Sequence, residues 1–320
     1  MLKTKSKAFV NRQKRRVTPE RRLVFEALEY RHLLSFDFGD SPTPYPVRIE
    51  DDGARHTPAT WLQSGSEQVL SGVGSVAETA LSDDGLTMAA GTGPLQGWIG
   101  VRVWRHDGNN WQPLGNAEET SYKYRSGTDP NIAMSGDGMT VAFGNYREGP
   151  AAINNQDEGV VSVFRWNGIG WQQLGMDLVG PARSQSGFDI DLSQDGNTLV
   201  IASPLAGVTK VLDWNGSSWQ HLRPSIVAEP SCGSVYPEAV SISNNGLIVA
   251  IGDTLTSRGC GTKEGHVEIF EWTGSEWEQL GDDIDGATNS YLGNTVALNA
   301  AGDRLAVGSA RGKNVNIYRF

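Results

Sequence analysis

Five carboxylates recur at comparable places along this chain of 320 residues. Glu78, Asp129, Asp189 and Glu238 each stand just ahead of, or at the start of, a short apolar stretch, and Asp191 lies inside one. Acidic side chains converging from several such stretches are what glycoside hydrolysis requires, one as proton donor and another as base or nucleophile. Asp191 falls in a row of otherwise small residues (Ala80, Ala133, Ser241, Ala297), so desolvation should perturb its titration. The simpler role for these side chains is to accept backbone N–H groups at strand ends. On that reading no residue is catalytic, and the five carboxylates form the site of the alternative, enzymatic reading.

Other chemistry is sparser. Asp282-Asp283-Ile284-Asp285-Gly286 is the densest acidic loop, with Asp283 and Asp285 the candidate cation ligands and a solvated loop the plainer reading. Calcium wants six to eight oxygens, more than such a loop offers alone, so no cofactor is expected and calcium is the one ion to consider. His32, His56, His106, His221 and His266 share no pattern suited to a triad or a zinc centre. The two cysteines, Cys232 and Cys260, fall in loops of one repeat unit that should open on the same face. A disulfide between them would contribute about 3–4 kcal/mol and would fit an oxidising compartment; two free thiols are the alternative.

The elements that must position these residues are repeats of about fifty residues, a period that signals a solenoid, propeller or array. The second half of the unit is clearest in Phe164-Arg165-Trp166-Asn167-Gly168-Ile169-Gly170-Trp171-Gln172-Gln173-Leu174-Gly175, and it returns at Trp214–Leu222, at Trp272–Gly281 and, more loosely, at His106–Gly115. The first half is a strand, a tight turn and a strand, with turns at Asp84-Gly85, Asp137-Gly138, Asp195-Gly196, Asn245-Gly246 and the variant Ala301-Gly302-Asp303. Such pairs suit a two-residue hairpin with positive φ. Each unit reads as a four-stranded antiparallel meander. A larger apolar row (Leu81, Met134, Leu192, Ile242, Leu298) alternates with the small row on the first strand. Meanders that cannot bury both faces alone stack radially, so the expected fold is an all-β, five-bladed propeller. The fifth unit ends at Val315–Phe320 without its fourth strand, while Trp61-Leu62-Gln63-Ser64-Gly65 precedes the first unit as an orphan fourth strand. Pairing the two would close the ring and cover a sheet edge. The paired Trp residues are expected to pack between blades rather than to stack on sugars.

Charge divides the chain. Residues 1–35 carry ten Lys/Arg against three Asp/Glu, whereas the whole chain is at −10. An acidic body is a poor partner for a phosphate backbone, so no nucleic acid is expected. No apolar run approaches the roughly 18–20 residues of a membrane span, so the folded part is expected to be soluble, and to be a monomer. The basic head lacks an ordinary signal's apolar core. The organisation expected is a basic targeting segment over 1–35 (disordered or a short helix), a linker over 36–58 and the propeller over 59–320.

Leu28-Glu29-Tyr30-Arg31-His32-Leu33-Leu34 resembles the LEPRxLL motif of planctomycete extracellular proteins, with Tyr30 in place of proline. The segments Asp37-Phe38-Gly39-Asp40 and Asp52-Gly53-Ala54-Arg55-His56 are similar to a stretch that follows it in such proteins. This resemblance implies an extracellular or cell-surface location. The repeats resemble the FG-GAP, integrin-α-like propeller group, except that Ser82-Asp83-Asp84-Gly85 and its counterparts lack the D-x-D-x-D-G calcium loop. The expected function is a non-catalytic surface module that binds protein or glycan or serves as a scaffold; the alternative is a glycosidase-like, carbohydrate-active enzyme. Tyr146 to Glu158 is a long insertion between strands two and three of the second blade and the first place to look for contacts.

Overall fold

The computed structural model describes residues 76–95, 98–116, 121–123, 130–147, 157–227, 236–255 and 263–320. Over these the chain is an all-β propeller of five antiparallel blades, with one 3-10 turn at Pro204–Ala206. Blade one contains β1 (Val76–Leu81), β2 (Thr87–Leu95), β3 (Trp98–His106), β4 (Trp111–Pro113) and β5 (Ser121–Lys123). Blade two follows with β6 (Asn131–Met134), β7 (Thr140–Asn145), β8 (Val160–Trp166), β9 (Trp171–Gln173) and β10 (Leu178–Val179). Blade three holds β11 (Ile190–Leu192), β12 (Thr198–Ser203), β13 (Val208–Trp214) and β14 (Trp219–Gln220). In blade four are β15 (Ala239–Ile242), β16 (Ile248–Asp253), β17 (His266–Trp272), β18 (Trp277–Gln279) and β19 (Ile284–Asp285). Blade five comprises β20 (Leu292–Leu298), β21 (Arg304–Ser309) and β22 (Asn314–Arg319).

Two local features differ from expectation. The outer strand is split in blades one, two and four: β4 and β5 both pair with β3, β9 and β10 with β8, and β18 and β19 with β17. The breaks fall at Gly115, Gly175 and Gly281, whose φ values of +83°, +74° and +76° turn the chain out of the ladder. The inner hairpin is also wider than a two-residue turn. Leu81 pairs with Met88 across residues 82–87, and only the glycine is left-handed, at +69° for Gly85. The reason is a side-chain frame. Ser82 Oγ donates to Asp84 Oδ1 (2.6 Å) and accepts the Thr87 N–H (2.9 Å), while Asp84 Oδ1 takes the Leu86 N–H (2.8 Å). Ser135/Asp137, Ser193/Asp195 and Ser243/Asn245 repeat it.

These turns also join the blades. Asp83 N–H donates to Gly136 O, Asp137 N–H to Gln194 O, Gln194 N–H to Asn244 O and Asn244 N–H to Ala300 O, at 2.9–3.0 Å. Between successive blades lie apolar seams, built on residues such as Val101 and Phe143, then Val161 and Leu199, then Val211 and Val249, then Val267 and Val307. All eight of these side chains are removed from water, each adding about 1.5–3 kcal/mol of burial. The expected apolar row packs where Met134, Leu192 and Ile242 meet the preceding blade, but Leu81 is 58% exposed. By its place in the repeat Leu81 looks toward blade five, where Val315 and Ile317 are also exposed. The closing strand expected at Trp61 lies outside the described residues, as do the segments 1–35 and 36–58.

Candidate functional site

The innermost strands bring three of the five carboxylates into one neighbourhood. Glu78 lies on β1, Asp189 immediately precedes β11, and Asp191 is its central residue. Each is engaged by the next blade. Ile132 N–H donates to Glu78 Oε2 at 2.7 Å, Val240 N–H to Asp189 Oδ2 at 2.7 Å, and Ile242 N–H to Asp191 Oδ2 at 2.9 Å. Ser241 Oγ adds a bond to Asp191 Oδ2 (3.1 Å), and both aspartates also accept the N–H of their own following residue, Ile190 and Leu192. The same level of the fold carries neutral versions of this link. Asn131 Nδ2 donates to Phe188 O (2.5 Å), and Leu298 N–H donates to Ser241 Oγ (3.1 Å). Every seam from blade one to blade five is therefore bridged near the axis by a side chain of an inner strand.

Burial governs how these acids titrate. It raises Glu78 above its usual range, against the opposing bond from Ile132. Asp189 is pushed up to about 8 by burial, with Glu78 and Asp191 nearby adding repulsion and the Val240 bond opposing. Asp191 reaches about 6, since burial outweighs the bonds from Ile242, Leu192 and Ser241. At neutral pH Asp189 is thus mostly a carboxylic acid, and Asp191 mostly a carboxylate.

The other candidates lie elsewhere. Glu238 is in blade four, where it accepts a bond from Thr254 Oγ1; burial raises its pKa, and Asp253 adds to the effect. Asp129, Cys232 and Cys260 lie outside the described residues. Asp283 accepts a bond from Gln279 Nε2 (2.6 Å), and Asp285 pairs with His266 across the ladder of β17 and β19. Among the described residues no three His, Cys, Asp or Glu side chains are arranged to hold a metal.

Several inter-blade contacts went unrecognised in the sequence. Arg165 donates from Nε to Thr140 Oγ1 (2.9 Å) in its own blade and from Nη2 to Gly196 O (2.9 Å) in the next. Arg223 pairs with Asp213 (2.8 Å), donates to Gly246 O, and lies 5.7 Å from the ring centres of Trp272 and Trp277. His266 and Glu268 are buried side by side on β17, 3.7 Å apart. Burial lowers the His266 pKa, but the adjacent Glu268 carboxylate and the charges of Asp253 and Asp283 outweigh it and raise it. The readable signal was Arg165 beside the repeated Trp166; the carbonyl it reaches lies 31 residues onward, in the next blade.

No family model matches the chain, and neither does any curated protein. Solved structures match in fold. One is a functionally unknown protein from Desulfotomaculum acetoxidans DSM 771, at 10% identity and a TM-score of 0.52, over 77% of this chain and 65% of that one. This chain therefore spans slightly less than two thirds of that protein's length. Another is the Pseudomonas aeruginosa periplasmic gluconolactonase PpgL, at 15% identity and a TM-score of 0.47, over 74% of this chain and 69% of that one. At such identities the likeness concerns the propeller alone.

Proposed function

We propose that this protein is a non-catalytic propeller of the cell surface or extracellular space, whose loops bind a protein or glycan or build a scaffold. The observation that carries this reading is the use of the axial carboxylates. Glu78, Asp189 and Asp191 spend their oxygens on backbone donors of the neighbouring blade, a role that holds the ring together. A glycosidase needs two carboxyl groups roughly 5–9.5 Å apart facing the sugar, not the adjacent strand. The surface location rests on the LEPRxLL-like segment and on the cysteine pair, and no nucleic acid is a partner because the body is acidic. The loop after β7 is the first candidate contact region; its start, Tyr146, leans on Phe188 with ring centres 5.0 Å apart. A glycan array and a surface-protein pull-down with the full chain test the reading. Saturable binding that survives Asp189→Asn and Asp191→Asn supports it.

A second reading has one observation in its favour. Two neighbouring acids with pKa values near 8 and near 6 are the pattern that assigns a proton donor and a base. On that reading the protein is a carbohydrate-active enzyme working at the axis. Hydrolysis of a polysaccharide panel that disappears in Asp191→Asn, while the fold is retained, would replace the binding reading with this one.

A further inference from the structure

Three Asn-Gly pairs stand in this chain: Asn167-Gly168, Asn215-Gly216 and Asn245-Gly246. Such a pair can convert itself chemically. The glycine amide nitrogen, with no Cβ beside it to hinder approach, attacks the side-chain carbonyl carbon Cγ of the asparagine. A bond forms between that nitrogen and Cγ, the Cγ–Nδ2 bond breaks, and ammonia leaves with the proton that the glycine nitrogen gave up. Water then opens the succinimide at one carbonyl or the other, giving aspartate or isoaspartate. Two conditions favour the step: a glycine N–H free of other bonds, and donors placed where negative charge gathers on Oδ1.

The fold meets these conditions unequally. Gly246 belongs to the inner turn of blade four, where its N–H donates to Ser243 O (2.8 Å) and an added Cβ would lie 2.8 Å from Thr198 Oγ1. That nitrogen is tied and walled in. Gly168 and Gly216 lie instead in the exposed rim turns that join β8 to β9 and β13 to β14. Among the described residues their N–H groups have no acceptor, and an added Cβ on either would meet nothing within 4 Å. The two rim turns differ at Oδ1. Asn167 Oδ1 accepts two N–H groups, from Ile169 (2.9 Å) and Gly170 (3.0 Å). Asn215 Oδ1 accepts three donors, the N–H and the hydroxyl of Ser217 and the N–H of Ser218, each at 2.9 Å.

We propose that Asn215 is a site of spontaneous covalent modification, with Gly216 N as nucleophile and the three donors of Ser217 and Ser218 stabilising the oxyanion that develops on Oδ1. The aspartate product keeps the turn. Blade one already carries Asp107 at this place, its Oδ1 accepting the Asn109 and Asn110 N–H groups at 2.9 and 2.8 Å. The isoaspartate product does not keep it, because an extra backbone carbon enters the turn closed by the Asn215 N–H bond to Ser218 O (3.2 Å). That turn sets β14, whose Trp219 Nε1 reaches back to Leu174 O (3.1 Å) in blade two. Conversion at Asn215 thus acts on the seam between blades two and three at its rim.

The test follows the full chain in mildly alkaline buffer, with peptide masses read over time and aspartate separated from isoaspartate. In the folded protein Asn215 should convert first, Asn167 more slowly, and Asn245 should stay intact. In urea the three rates should converge, because the difference resides in the fold. Asn167 also serves as a clock within the same molecule. Ser217→Ala should lower the Asn215 rate relative to that of Asn167 by roughly fivefold, the worth of one exposed hydrogen bond. Asn245 converting as fast as Asn215 in the folded protein, Asn167 outrunning Asn215, or an unchanged ratio in Ser217→Ala would overturn the assignment.

Discussion

Asp189→Asn should remove most of one proton's worth of pH dependence from the stability of this protein. Asp189 has an unfolded value near 3.8 and a folded value of about 8. Its stabilising contribution is complete below the unfolded value and is lost as pH rises toward 8, because the native state holds a proton that the unfolded chain releases. Between pH 4 and 8 this one group lowers stability by about 1.4 kcal/mol per pH unit. At pH 7 the accumulated cost is on the order of 4 kcal/mol, trimmed because the residue is not wholly shielded from solvent. Asparagine bears no such cost, but it can accept only one of the two N–H groups now taken by Asp189. The orphaned donor, from Val240 or Ile190, costs about 1–3 kcal/mol. The variant should therefore be less stable than the parent at pH 4 and more stable at pH 8, with the curves crossing between. Urea denaturation at each pH unit from 4 to 8 measures this directly. Parallel curves would mean that Asp189 is not a buried acid between blades three and four.

Three further perturbations probe the seams by chemical denaturation. Trp219→Phe keeps an aromatic ring but strips Leu174 O of its donor and should cost about 1–2 kcal/mol, against about 3–5 for Trp219→Ala; no loss in Trp219→Phe would mean that the indole bond contributes nothing. Arg223→Ala leaves the half-buried Asp213 with only the Thr198 hydroxyl as a partner and should cost about 1.5–3 kcal/mol, and Arg223→Lys should recover little because one ammonium cannot span Asp213, Gly246 O and two indole faces; full rescue by Lys would contradict the geometry. Gly138→Ala forces a side chain onto a φ of +69° and places its Cβ 2.8 Å from Thr87, so a loss of about 1–3 kcal/mol is expected, whereas no loss would show that the turn yields freely.

The repeat made most of the architecture legible. Five turn motifs and the recurrent Trp pair predicted the number of blades, their antiparallel order and the inter-blade role of the tryptophans. The split outer strands were harder to read, because Gly115 and Gly175 look like ordinary strand ends until their left-handed φ shows them as breaks within one edge. The exposure of Leu81 was invisible for a different reason. A repeat pattern says which face a residue takes, but not whether a neighbour covers it. For the candidate site, composition and position picked out Glu78, Asp189 and Asp191, yet their partners Ile132, Val240 and Ile242 lie 51–54 residues onward. That distance is one repeat length, so it separates residues in neighbouring blades. A backbone N–H has no side-chain signature, which is why those partners could not be read from residue types.

Amide hydrogen exchange along β15 tests the clasp most directly. In the parent, the Val240 and Ile242 amides should exchange as slowly as those of the central strands, because Asp189 and Asp191 hold them. With Asp189→Ala and Asp191→Ala together, those two amides should exchange markedly faster than Val249 and Val267 in the same blade. Unchanged protection at Val240 and Ile242 would mean that the acids do not bind the blades, and would return them to the list of groups free for chemistry.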